Sequence, residues 1–179
     1  MSAVVRAQPK QRSLPEEQVY LDAMSWFRKL VVAANALADF IDRQRFVSFS
    51  FGWINSLQSM VQFKRGIAYE IRSADDEGVT NLQPRLKLLA DQLNLKVQDS
   101  IMRMNQVAGL IVQYEAEGQH LSSDLSQIFL TRQNWIGVLL RELAPSSEIR
   151  QVAQDVEDSA KTLETVLDKL KELIQTVQL

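Results

Sequence analysis

The chain has 179 residues, of which 46% are hydrophobic and 23% charged, with a formal net charge of −2. This apolar content excludes a disordered chain, which could not bury enough surface to offset the entropy of ordering. The absence of cysteine excludes disulfides, thiolate catalysis and zinc sites with sulfur ligands, and the six glycines and four prolines are few for an all-β fold.

The first twelve residues show no apolar periodicity, and all of their charges are basic: Arg6, Lys10 and Arg12. We predict a flexible basic arm over residues 1–12, followed by a single helical-bundle domain over 13–179. No apolar core of a signal peptide follows the arm, and the longest apolar stretch, 30–38, is too short to cross a bilayer. We therefore expect a cytoplasmic protein.

The first helix is predicted over residues 14–45. Ser13 and Glu16 match a capping box, in which two side chains satisfy free backbone N–H groups at the start of a helix. Apolar residues then repeat every three or four positions and so share one helical face: Tyr20, Met24, Phe27, Val31, Ala34, Ala38 and Ile41. A second apolar seam beside the first predicts that this helix lies deep in a bundle.

Residues 46–54 are ambiguous, because apolar side chains alternate there as they would in a strand: Val47, Phe49, Phe51 and Trp53. A lone strand has nothing to pair with, so we predict a kink or turn over 46–52 and a second helix over 53–72. The polar run 73–84 ends in proline and is predicted to be the principal loop.

The C-terminal half predicts three more helices, over 84–117, 121–143 and 147–178. Gly118 is a natural stop or bend between the first two, and Pro145 ends the second. The last helix has strict 3-4 spacing that only Ser159 breaks: Ile149, Val152, Val156, Ser159, Leu163, Val166, Leu170, Leu173 and Val177. The predicted fold is therefore all-α, an elongated antiparallel bundle of four to five long helices with coiled-coil-like packing.

The sequence offers little for catalysis. Glu117 and His120 have the Glu-x-x-His spacing of di-iron bundles, but such a site needs a second pair, and His120 is the only histidine in the chain. No glycine-rich phosphate loop or histidine-assisted nucleophile can be assembled. We therefore expect no enzyme activity, no catalytic residue, no metal and no cofactor.

Two features form the candidate interaction surface. The aromatic segment 46–54, with Phe46, Phe49, Phe51 and Trp53, has cationic flanks and would suit a docking patch or a membrane-surface wedge, although burial in the core is the favoured interpretation. The C-terminal heptad would suit an intermolecular coiled coil, although packing within the chain is favoured. Its candidate residues are Leu163, Val166, Leu170, Leu173 and Val177.

The predicted function is that of a non-catalytic protein–protein interaction or assembly protein that acts through apolar helix faces. We expect a subunit of a homo-oligomer or of a larger complex, with a protein partner or a second copy bound. The alternative is a peripheral membrane-binding helical module that uses segment 46–54. Nucleic-acid binding is not expected, because the three cations of the arm make too few phosphate contacts.

Overall fold

The computed structural model describes the backbone of residues 15–77, 79–142 and 146–179, and the side chains of 15–73, 84–130 and 150–179. These residues form helices joined by short turns and contain no strand, so the predicted all-α class is confirmed. Five helices pack against each other, and a 3₁₀ turn, Val112–Tyr114, precedes the fourth. The helices are α1 (Pro15–Asn35), α2 (Phe40–Glu77), α3 (Val79–Ala108), α4 (Glu115–Glu142) and α5 (Ser146–Ile174).

Helix α2 organises the packing. Its 38 residues extend for about 57 Å, and it lies between α3 and α5. Helix α1 packs against α4 and α5, and α3 packs against α4 as well as α2. Each helix therefore has neighbours on some sides and solvent on another.

An aromatic cluster joins α1 to the first half of α2. The rings of Trp26 and Trp53 meet edge to face with centroids 5.8 Å apart, and those of Phe27 and Phe46 stack at 5.7 Å. All four side chains are buried. Aromatic pairs in these geometries add to the stabilisation that comes from buried area, so the cluster anchors α1 on α2.

The prediction of a kink over 46–52 is wrong, because α2 runs through this segment without a break. The chain breaks earlier, over 36–39, and the first helix ends at Asn35 rather than at 45. Asp39 accepts a hydrogen bond from the Ile41 N–H at 2.8 Å and so caps the start of α2. Sequence reasoning missed this cap because the apolar spacing continues on both sides of it.

The predicted loop over 73–84 is also wrong for most of its length. Helix α2 continues to Glu77, and α3 begins at Val79, five residues before Pro84. Polarity in this run was the misleading signal, because polar side chains report exposure and do not by themselves end a helix. Pro84 removes one backbone hydrogen bond near the start of α3, where the helix continues in spite of it.

Gly118 does not end a helix, contrary to the prediction. Helix α3 stops at Ala108, before the predicted 117, and Gly118 lies within α4. A Cβ atom on Gly118 would come within 2.5 Å of Cζ2 of Trp26. The Trp26 Nε1–H also donates to the Tyr114 carbonyl at 3.0 Å. Because Gly118 has no side chain, the indole of Trp26 can lie against α4.

The last helix is close to its prediction of 147–178, since α5 spans Ser146–Ile174. Ser159 and most apolar members of its heptad are buried. A second buried seam runs beside the first, formed by Ala153, Ala160, Leu167 and Ile174. Two seams suit a helix that packs against both α1 and α2. The predicted arm over 1–12 lies outside the described residues.

Candidate interaction surface

The aromatic segment divides between core and surface. Phe46 and Trp53 are buried, whereas Phe49 is 37% exposed and Phe51 is 45% exposed. Residues two positions apart on a helix differ by about 200° in direction, so Phe49 and Phe51 lie on opposite sides of α2. The four predicted residues therefore do not form one continuous exposed patch in this conformation.

The candidate residues of the C-terminal heptad face the interior of the chain. Leu173 is half-buried, and the other four are buried: Leu163, Val166, Leu170 and Val177. They belong to one core with residues of the other helices. A partner chain could reach this seam only after α5 had separated from its own bundle.

A row of exposed apolar side chains lies instead on α3. Leu88 is 59% exposed, Leu95 is 67% exposed and Met102 is 53% exposed. They are spaced seven residues apart, so they lie along one side of the helix over about 21 Å. We call these three residues the α3 stripe.

The α3 stripe faces away from the core. Leu95 is two positions from both Leu93 and Val97, which are buried, so it points about 200° from each of them. All three residues remain more than half exposed, so no side chain that the structure describes covers most of their surface. Rows of large exposed apolar residues are uncommon on proteins that act alone and often mark binding sites.

Two carboxylates lie beside the α3 stripe, and both have cationic partners on the same helix. Lys87 Nζ lies 2.9 Å from Asp91 Oδ2, and Arg103 Nε lies 2.9 Å from Asp99 Oδ2. Partial burial alone would raise the pKa of Asp99, but hydrogen bonds from Ser56 and Arg103 outweigh it and lower that pKa. Asp99 is therefore ionised at neutral pH, and the charges next to the stripe balance within the chain.

Sequence reasoning missed the α3 stripe. The apolar repeat that includes Leu86, Leu93 and Val97 predicts one core seam for this helix, and Leu88, Leu95 and Met102 lie outside that repeat. The signal that could have found them is a second apolar repeat of seven residues on the side of the predicted helix opposite the seam. Sequence alone does not tell such a repeat from a second buried seam like that of α5.

A group of polar side chains packed against the Phe129 ring lies inside the bundle. Lys64 Nζ forms an ion pair with Glu16 Oε2 and donates to Ser159 Oγ at 3.0 Å. The Tyr20 hydroxyl donates to Glu16 Oε2 at 2.5 Å, and the ammonium lies 4.7 Å from the centroid of the Phe129 ring. Glu16, Lys64 and Ser159 have no exposed surface, so no substrate reaches them here. We call this group the buried polar cluster.

Two open grooves run between α2 and α5, with volumes of about 370 and 380 Å³. Their charged side chains pair across the helices, as in Arg65 with Glu164 at 2.9 Å and Arg72 with Glu157. The hydrogen bond from Arg72 lowers the pKa of Glu157. Because the charges balance and the grooves are open, neither groove selects a ligand of one charge.

Neither a metal-ligand cluster nor a membrane-spanning helix is present in the described part of the chain. It contains no group of three histidine or carboxylate side chains placed to hold a metal ion. Lys29 Nζ donates a hydrogen bond to Glu117 Oε1 at 2.8 Å, and Nε2 of the exposed His120 lies 3.5 Å from Asp124 Oδ2. No helix in this part is long and apolar enough to cross a membrane.

Comparison with protein-family models, with curated proteins and with solved structures finds no match for this chain.

Proposed function

We propose that the chain is a non-catalytic interaction or assembly protein, a subunit of a homo-oligomer or of a larger complex, and that it binds through an apolar helix face. The α3 stripe is the observation that carries this proposal. Each of its three side chains is more than half exposed, and burial against another chain would remove apolar surface from water. The two sequence-predicted surfaces support it less, because most of their residues are in the core.

The same proposal includes the finer architecture. An elongated antiparallel bundle with coiled-coil-like packing would leave the outward face of α3 exposed as a long, straight surface for binding. The 3-4 spacing of the buried residues of α5 and the length of α2 support this geometry. A chain without cysteine also suits a reducing compartment such as the cytoplasm.

Substitution of the α3 stripe tests the proposal. In the native extract, the unsubstituted chain is expected in an assembly well above its own 20.4 kDa, measured by size separation and immunodetection. The triple variant Leu88→Ser, Leu95→Ser and Met102→Ser should fall to the size of the free chain, because serine provides little apolar surface for the contact.

Leu130→Ser is the matched control, since Leu130 is an exposed leucine of α4 outside the stripe. It should leave the assembly intact. Circular dichroism checks that each variant remains folded. An assembly that survives the triple substitution, or a chain that runs at its monomer size throughout, would remove the support for this proposal.

A peripheral membrane module is the second candidate. Exposed apolar residues near the start of α2, together with Arg43 and Arg45, favour it: Phe40, Ile41, Phe49 and Phe51. Flotation with vesicles of phosphatidylcholine and phosphatidylserine tests it, comparing the parent with Phe49→Ser/Phe51→Ser. Flotation lost in that variant supports the membrane module, and a parent chain that stays with the soluble fraction rejects it.

A further inference from the structure

One polar contact joins three helices in the middle of an apolar core. Glu16 comes from α1, Lys64 from α2 and Ser159 from α5, and all three are fully buried. Among the buried residues that the structure describes, Glu16 and Lys64 are the two that carry a charge. Charges are rarely buried in protein cores unless they are paired, so their position requires an explanation.

The apolar seams around this contact would fit one another in more than one alignment. They repeat every three or four residues, so a shift of one helical turn places apolar residues against apolar residues again. If α5 moved by one turn along α2, Val156 or Leu163 would take the place of Ser159. Both are already core residues, so apolar burial distinguishes these alignments poorly.

The buried polar cluster distinguishes the observed alignment strongly from alignments shifted by one helical turn. A shift of α1 by one turn would take Glu16 away from Lys64 and leave two buried charges without their ion pair. Leaving one buried charge uncompensated is far more destabilising than losing an exposed pair. The surface pair of Arg65 with Glu164, more than 40% exposed on both side chains, therefore holds the alignment only weakly.

We propose that the buried polar cluster selects a single alignment of α5 on α2 and, together with the fit of Trp26 against Gly118, a single alignment of α1. The role resembles that of a single polar residue in a coiled-coil core, which specifies register at a cost in stability. It goes beyond the proposed function, because it concerns how this sequence reaches one packing and not what that packing binds. The buried polar cluster favours one helix alignment over others more than it adds to the free energy of unfolding.

Spin labels provide the test, because the chain has no cysteine of its own. A label on Tyr69→Cys of α2, paired with a label on Glu172→Cys of α5 or on Gln18→Cys of α1, reports the sliding of each helix along α2 through electron–electron distances, and all three sites are exposed. The parent should give one distance population. The variant Glu16→Leu/Lys64→Met should stay folded and give a second population displaced by about 5 Å, one helical turn.

Ser100→Ala is the control, since its buried hydroxyl donates to the Val97 carbonyl on its own helix, and it should keep one population. A single, unchanged population in Glu16→Leu/Lys64→Met overturns the proposal. If that variant does not fold, Glu16→Gln/Lys64→Met is measured in the same way. A second population there supports the proposal, and a single population or a second failure to fold overturns it.

Discussion

At the scale of single residues, Ser50 carries a hydroxyl that is buried in α2 and has no hydrogen-bond partner among the residues that the structure describes. An unsatisfied buried polar group destabilises a fold, because it gives up its bonds to water without replacement. We expect Ser50→Ala to raise the free energy of unfolding by about 1 kcal/mol, measured by urea denaturation. Ser100→Ala, which removes a bonded hydroxyl, should not stabilise; equal gains in both variants would contradict this explanation.

Asp99 makes stability depend on pH. Its pKa is lowered in the folded chain from an ordinary value of 3.8, so its ionised form stabilises the fold above that pH. This contribution is lost as the pH falls through the lower pKa of the folded state. Asp99→Asn should therefore be less stable than the parent at neutral pH, and this deficit should shrink at a pH below 3.8. Urea denaturation at both pH values measures the difference, and a constant difference would contradict the assignment.

At the scale of helices, Gly118 controls how closely α1 approaches α4. A side chain there would collide with the Trp26 indole, which is buried against Trp53 and cannot withdraw freely. We expect Gly118→Ala to lower the free energy of unfolding by about 1–3 kcal/mol and to alter the tryptophan emission.

Gly66→Ala is the control for this prediction. A Cβ on Gly66 would meet Leu89 at 3.5 Å, an ordinary contact, so alanine there should be neutral or stabilising by up to about 1 kcal/mol. If Gly118→Ala is as neutral or stabilising as Gly66→Ala, helix propensity and not the contact with Trp26 governs position 118.

Helix existence could be predicted from the sequence, but several helix ends could not. The spacing of α5 gave its bounds to within a few residues because its apolar repeat is strict and Pro145 precedes it. The ends of α1 and α2 were missed because one carboxylate, Asp39, decides where α2 starts within an unbroken apolar pattern. Gly118 was misread because a glycine that permits close approach and one that ends a helix look the same in a sequence.

The candidate site could be predicted less well than the fold. An apolar residue at helical spacing is buried only if another helix covers it, and coverage depends on which helices are neighbours. Leu163 and Leu95 both lie in seven-residue repeats, yet Leu163 is in the core and Leu95 is exposed. Leu163 is on a face of α5 that other helices cover, and Leu95 is on the face of α3 opposite the buried Leu93 and Val97, a difference that depends on the packing and that no local pattern contains.

At the scale of the whole molecule, the buried and the exposed faces of the helices have different roles. The buried faces of α1, α2 and α5 hold the structure together, and the outward face of α3 is available for contact. The charges beside the stripe are paired within the chain, so a partner would contribute mainly apolar surface. We therefore expect assembly to persist at high salt, since screening weakens exposed ion pairs and not apolar burial.

Hydroxyl-radical footprinting of the free chain and of the chain in the proposed assembly from native extract tests the central claim most directly. Labelling of Leu88, Leu95 and Met102 should be strong in the free chain and fall in the assembly. Val112 of the 3₁₀ turn, which is exposed, should be labelled in both states, and the buried Met104 in neither. Equal labelling of the α3 stripe in the two states would contradict its assignment as the interaction surface.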